Sequence, residues 1–154
     1  NRRQDPVHLK ATSASRQKVQ LFVIDSSVWI DFLRKSGTPQ ESELVELVSS
    51  DHEVALTGPI LTEVLQGCES DLEAERVSHH LLDFTLLEPE SEVEYTRAAH
   101  MFRKARSKGI TVAGLGDLLV ASACLTRGAF LLHNDRDFDN LALVSDLKIW
   151  KPTA

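Results

Sequence analysis

Short apolar runs alternate with stretches of helical periodicity along almost the whole chain. Residues 21–24 (LFVI) are apolar without a break, as a parallel strand buried on both faces requires. Residues 54–56 and 129–132 repeat that signature, and 84–87 and 147–150 read as strands with one polar position each, Thr85 and Lys148. Between them, apolar positions recur every three or four residues, which predicts helices over 26–33, 41–49, 58–67, 71–82, 91–108 and 115–127 and a short one over 138–141. Boundary residues agree. Ser26 or Ser27 can cap the first helix, Gly37-Thr38-Pro39 breaks the chain, and Gly58-Pro59 suits a first helical turn. Ser91 and Glu94 have capping-box spacing, Gly109 and Gly128 stand just past helix ends, and Ala113-Gly114 reads as a turn. Strands alternating with helices, joined by right-handed crossovers, imply an α/β protein: a three-layer α/β/α sandwich around a central, mainly parallel sheet.

Composition narrows this to one domain. A chain of 154 residues, 42% hydrophobic, buries one core and is too short for two ordinary domains. Residues 1–20 differ in kind: Arg2, Arg3, Lys10, Arg16 and Lys18 stand against Asp5 with little apolar pattern, so they read as a flexible basic leader to a single domain over 21–154. Removing the leader's +4 from the total of −6 leaves about −10 on the rest, a balance that disfavours broad, non-specific nucleic-acid binding. No apolar run reaches the roughly 20 residues of a membrane span and no signal-peptide pattern is present, so a cytoplasmic protein without membrane contact is expected. Cys68 and Cys124 lack CxxC spacing and read as small core residues, which argues against structural zinc or a disulfide framework.

The chemistry lies in four acidic stations: Asp25 in LFVIDSSVW, Glu63 in ILTEVLQG, Asp117 in GLGDLLVASA, and Asp135 with Asp137 in LLHNDRDFD. Asp25 and Asp135 follow strands, while Glu63 and Asp117 fall early in helices, so all four stations can meet at the strand ends where open α/β sheets place their sites. Each has a plainer reading. Asp25 suits a helix N-cap, Glu63 alone reads as a solvated helix residue, and one of Asp135 and Asp137 suits the cap of the short helix, with Asp139 solvated. Asp117 is harder to dismiss, because it opens a helix that is apolar around much of its circumference, and the helix dipole offers it at most about 1 kcal/mol. Carboxylates gathered in one pocket repel and raise one another's pKa values unless a hard cation neutralises them, which points to Mg²⁺ or Mn²⁺.

The strand with IDSSVWIDF, the helix LTEVLQG, the helix GDLLVASACLTRGAFLLH and the closing NDRDF before a strand ending at Trp150 resemble, in that order and spacing, the PIN-domain nucleases, and particularly the VapC-type toxins of bacterial toxin–antitoxin pairs. The resemblance covers about residues 21–150. It implies that Asp25, Glu63, Asp117 and Asp135 are the catalytic acids, with Asp25, Asp117, Asp135 and the neighbouring Asp137 holding the metal and Ser26 in support. It further implies a metal-dependent endoribonuclease acting on structured RNA such as tRNA or rRNA, restrained by a small antitoxin and working as a homodimer. Ser26 replaces a commoner threonine, and the glycine-rich GLGD suggests looser placement of Asp117.

Other readings keep the acidic pocket: a PIN-type nuclease for RNA processing or DNA flaps, or a metal-binding phosphatase or regulatory domain. A haloacid-dehalogenase-like phosphatase needs an aspartate where Ser27 stands, and a dinucleotide fold needs GxGxxG after the first strand; neither is present. Adjacent His79 and His80 cannot share a helix face, which disfavours a two-histidine mechanism. His133, beside the acidic loop, is a candidate substrate contact. Arg103, Lys104 and Arg106, followed by Lys108, either offset the end of the long helix or contact RNA phosphates.

Overall fold

The computed structural model describes residues 18–112 and 114–153. Its elements run β1 (Leu21–Ile24), α1 (Ser26–Arg34), α2 (Pro39–Val48), β2 (Glu53–Thr57), α3 (Gly58–Gln66), α4 (Asp71–Leu81), β3 (Thr85–Leu87), α5 (Val93–Ser107), α6 (Leu115–Arg127), β4 (Phe130–Leu132), α7 (Arg136–Ala142) and β5 (Lys148–Ile149). The five strands form one sheet in the order β3-β2-β1-β4-β5. Every pairing is parallel, with Phe22 level with Val54 on one side and Phe130 on the other. The chain winds outward from β1 through β2 and β3, then returns across the sheet to β4, which makes the gap between β1 and β4 the topological switch point. Right-handed crossovers place α1 to α4 on one face and α5 to α7 on the other, and the helices pack accordingly, α1 on α2, α3 on α4, α5 on α6. Helices α3 and α6 also meet.

Burial explains the uninterrupted apolar runs. Phe22, Val23, Ile24, Leu56, Leu131 and Leu132 are fully enclosed because helices cover both faces. Phe22 and Phe130 stack at 5.4 Å between centroids, and the Trp150 indole stands edge-on to both at 5.0 and 5.2 Å. Its Nε1 donates to Glu43 Oε1 at 2.8 Å, while Glu43 Oε2 accepts from Thr153 N and Oγ1, each at 3.2 Å. Burial pushes the Glu43 carboxyl up, but these bonds to its charged form outweigh it and leave the group below its ordinary value.

Local details depart from the sequence reading. Of the caps open to α1 in the sequence, Asp25 rather than a serine is the N-cap. Helix α2 starts at Pro39 because Thr38 Oγ1 accepts the Glu41 N–H at 3.2 Å. The capping box at Ser91 does not form. Glu94 is drawn inward to Arg127, leaving α5 without a side-chain cap. Cys124 is enclosed as expected, whereas Cys68 is only half-buried. The basic leader falls outside the described residues except for Lys18 to Gln20, as does Ala113 of the expected turn.

Candidate active site

Strand β1 delivers Asp25 to the switch point, where the residue is 2% exposed. The short N-cap geometry folds its side chain back, so Oδ2 accepts from Ser27 N at 3.0 Å and from Ser27 Oγ at 2.6 Å. Oδ1 is buried and has no partner among the described residues. A buried carboxylate oxygen without a donor is costly unless something positive meets it. Burial pushes the Asp25 carboxyl above its ordinary value, the Ser27 bonds pull it back, and the nearby Glu63 charge raises it again.

The other acids arrive from three further elements. Glu63 comes from the middle of α3, and its Oε2 accepts the Ser26 hydroxyl at 2.5 Å. Asp117 stands in the first turn of α6. Asp135 follows β4 and caps α7, its Oδ1 accepting Asp137 N–H at 3.0 Å. Carboxylate oxygens of Asp25, Glu63 and Asp117 lie within 4.8 Å of one another, as do those of Asp117, Asp135 and Asp137. Asp117 belongs to both groups. Its carboxyl is raised to about 7 by burial first, then by the charges of Asp25, Asp135, Glu63 and Asp137. Asp137 is likewise raised by burial and by Asp135. The donors are all carboxylate oxygens, a set that suits a hard divalent cation such as Mg²⁺ or Mn²⁺ rather than zinc. The unpartnered Asp25 Oδ1 fits that occupant.

Some residues do work that the sequence reading missed or misassigned. Ser26 braces Glu63; Ser27, read only as a possible cap, orients Asp25. Ser27 Oγ also accepts the Asn134 N–H at 3.0 Å, and Asn134 Nδ2 donates to Asp31 Oδ2 at 3.0 Å. Gly116 packs against the site so closely that a Cβ there would sit 2.6 Å from Glu63 Oε1. The glycine-rich approach to Asp117 therefore marks tight packing of α6 against Glu63, not looseness. His133 is enclosed and does not face outward as a substrate contact. Its Nδ1 accepts the Asp135 N–H at 3.0 Å, and Nε2 lies 3.2 Å from Asp139 Oδ1, close enough for attraction but off the line of a hydrogen bond. Burial holds its pKa below the ordinary value. Asp139 is exposed, as expected, and also lies 3.4 Å from the Lys151 ammonium.

Arg103 and Arg106, three apart, share one side of α5, whereas Lys104 is turned about 100° or more from each and points elsewhere. Helix α5 buries Glu94, Ala98, Met101 and Ala105. Arg103 lies opposite that face, Arg106 sits over the Phe102 ring at 5.6 Å, and Lys104 flanks a groove against the end of α6.

Comparison with known proteins agrees with this geometry. The profile of the PIN domain matches residues 22–144. Among curated relatives, the VapC ribonuclease Mb1587 of Mycobacterium bovis and the ribonuclease VapC11 of Mycobacterium tuberculosis are each 29% identical over 129 residues, covering 83% of this chain and 96% of the relative. The fold matches VapBC-1 of nontypeable Haemophilus influenzae with a TM-score of 0.69 at 18% identity, over 88% of this chain and 100% of that one. It matches Mycobacterium tuberculosis VapC20, described as a sarcin-ricin loop cleaving toxin, with a TM-score of 0.59 at 14% identity, over 82% and 98%. With the family profile spanning all four acidic stations, the chain belongs to the PIN domain family.

Proposed function

We propose that the protein is a divalent-metal-dependent endoribonuclease, the toxin of a toxin–antitoxin pair, hydrolysing phosphodiester bonds in structured RNA such as tRNA or rRNA. The observation that carries this reading is the meeting of five carboxylates from four separate segments in two groups that share Asp117, with the buried Asp25 Oδ1 left without a partner among the described residues. Curated relatives named as ribonucleases support the substrate class.

Asp25, Glu63, Asp117, Asp135 and Asp137 would hold Mg²⁺ or Mn²⁺, with Asp117 shared between the two groups. Such a cation polarises the scissile phosphate, makes bound water nucleophilic at neutral pH and neutralises the leaving oxygen. The chain's own part is placement. Ser27 fixes Asp25 Oδ2 and leaves Oδ1 without a partner among the described residues, Ser26 steadies Glu63, and the His133 ring holds the Asp135 backbone. With its carboxyl raised to about 7, Asp117 without a cation is partly protonated at neutral pH, so occupancy of the site would displace that proton.

A partner surface accompanies the site. Helices α1, α2 and α4 leave an apolar groove of about 580 Å³, flanked by the exposed side chains Phe32, Leu33, Val45 and Val48. Uncovered apolar surface of this kind marks a docking site, and several structures of the same fold are toxin–antitoxin complexes. The groove suits an apolar segment of the antitoxin, and a toxin homodimer would present two such grooves. No helix among the described residues is long and apolar enough to cross a membrane.

The test is cleavage of a structured RNA by protein checked to be free of contaminating ribonuclease. Activity should require Mg²⁺ or Mn²⁺ and leave 3′-hydroxyl ends, because a metal-activated water needs no help from the 2′-hydroxyl. Cleavage that persists in EDTA, or cyclic phosphate ends, would overturn the mechanism.

A further inference from the structure

A second hollow lies at the opposite edge of the sheet from the acids. Helix α5 and the end of α6 enclose a groove of about 560 Å³ lined by Arg97, His100, Lys104, Gly128, Asp146 and Lys148. Gly128 ends α6 and Lys148 opens β5, whereas Asp25 and Asp135 follow the far ends of β1 and β4. Along α6, Gly128 is about 16 Å from Asp117 at 1.5 Å per residue.

The groove's charge is available. Arg97 is committed to the end of α6, its Nη1 donating to Ser122 O at 3.2 Å and Thr126 Oγ1 at 2.6 Å, so it offsets the helix dipole there. Lys104 and Lys148 are exposed and, among the described residues, neither ammonium has a hydrogen bond or an acid within ion-pair distance. The Lys148 ammonium instead sits 4.7 Å from the Phe130 ring centroid and passes close over Gly128. Asp146 is the single acid on the rim. On a chain with a net charge of −6, exposed lysines facing one hollow without counter-ions form a local attractor for anions.

We infer that this groove binds the phosphodiester backbone of RNA at a second point, remote from the cleavage centre, and so favours substrates long or folded enough to reach both. The inference rests on the nuclease reading above. Helices α5 and α6 pack as one antiparallel pair, tied by Glu94 and Arg97 to the end of α6. A backbone phosphate held by Lys104 and Lys148 is thus indexed to Asp117 on the same helix pair. Replacing both lysines removes the contact and leaves Arg97 in place.

The experiment compares steady-state cleavage of an RNA hairpin and a dinucleotide, too short to span both points, by the full chain with Mn²⁺. In the Lys104→Gln/Lys148→Gln variant, the hairpin-to-dinucleotide ratio of kcat/KM should fall on the order of tenfold, carried by the hairpin KM. The log–log salt slope for the hairpin should shrink by about 1.4 to 1.8, at roughly 0.7 (single strand) to 0.9 (duplex) per lost contact. The charge-preserving Lys104→Arg/Lys148→Arg variant should keep the wild-type ratio. An unchanged ratio and slope in the Gln variant would overturn the groove as an RNA site, and so would unchanged RNA kinetics accompanied by loss of an antitoxin complex, which would assign it to a protein partner. Wild-type protein that cuts neither substrate would instead defeat the nuclease reading itself.

Discussion

The Ser27 hydroxyl accepts the Asn134 backbone N–H at 3.0 Å while donating to Asp25 Oδ2 at 2.6 Å. One oxygen thus joins the loop after β4 to the acid after β1. Removing it leaves Asp25 Oδ2 with the Ser27 backbone N–H as its one remaining donor and takes the Ser27 hydroxyl from the Asn134 amide. Ser27→Ala should weaken Mn²⁺ binding about 10- to 100-fold, as loss of an outer hydrogen bond to a metal ligand typically does. Ser27→Thr should restore most of it. Calorimetric titration of the three proteins decides the matter, and an unaltered affinity in the alanine variant would show that Asp25 is held by its cap geometry alone.

Asp117 makes the metal-free fold sensitive to pH. Its folded pKa, about 7, is raised above the unfolded value, so its contribution is fully favourable below pH 3.8 and is lost as pH climbs through 7. Asp117→Asn should abolish cleavage and, in EDTA, melt at or above the wild-type temperature, with the gap widening from pH 5 to pH 8. Comparing the two proteins at each pH cancels the depressed pKa of His133, which acts in the opposite sense near pH 6.5. Saturating Mn²⁺ should stabilise wild type by about 2.7 kcal/mol at a hundredfold excess over Kd and the variant by less. An asparagine variant that unfolds earlier than metal-free wild type would make Asp117 a structural group.

The α5–α6 pair depends on an enclosed ion pair. Arg127 Nη1 bonds Glu94 Oε1 at 2.6 Å, with the two side chains 12% and 5% exposed, and Nη2 donates to the Glu88 carbonyl. Arg127→Ala strands the Glu94 charge and should cost about 3–5 kcal/mol in urea unfolding. Glu94→Leu combined with Arg127→Met should recover most of that loss. A double variant as unstable as the single one would mean that Arg127 matters chiefly through the Glu88 carbonyl.

How far the sequence spoke depended on the range of each interaction. The buried strands around Phe22 and Leu131 were legible because a sheet covered on both faces demands unbroken apolar runs. The acids were legible because charges beside such runs need a reason. Ser27 was not, since its second partner, Asn134, lies 107 residues away and neither residue is unusual locally. The capping box at Ser91 was written in the right letters, but the distant Arg127 competed for Glu94 and won. The basic residues of α5 looked like one cluster in line; helical rotation keeps Arg103 and Arg106 on one side but turns Lys104 away, and Lys104 found its neighbours in Arg97 and Lys148 instead.

Gly116 sets stability and activity against each other. In a helix interior glycine gives up about 0.8–1.0 kcal/mol relative to alanine; Gly116, the second residue of α6, gives up a part of that, and a design scheme bent on toughening α6 would replace it first. The fold could accommodate the methyl, since the atom in its way is the tip of a flexible glutamate. The site could not, because Glu63 would have to swing out of the acidic group. Gly116→Ala should therefore raise the melting temperature while cutting turnover, producing a sturdier and poorer catalyst. The thermal margin of this chain and the spacing of its acids are bound together in a single hydrogen atom, so directed evolution for heat resistance alone would be expected to select against function at this position.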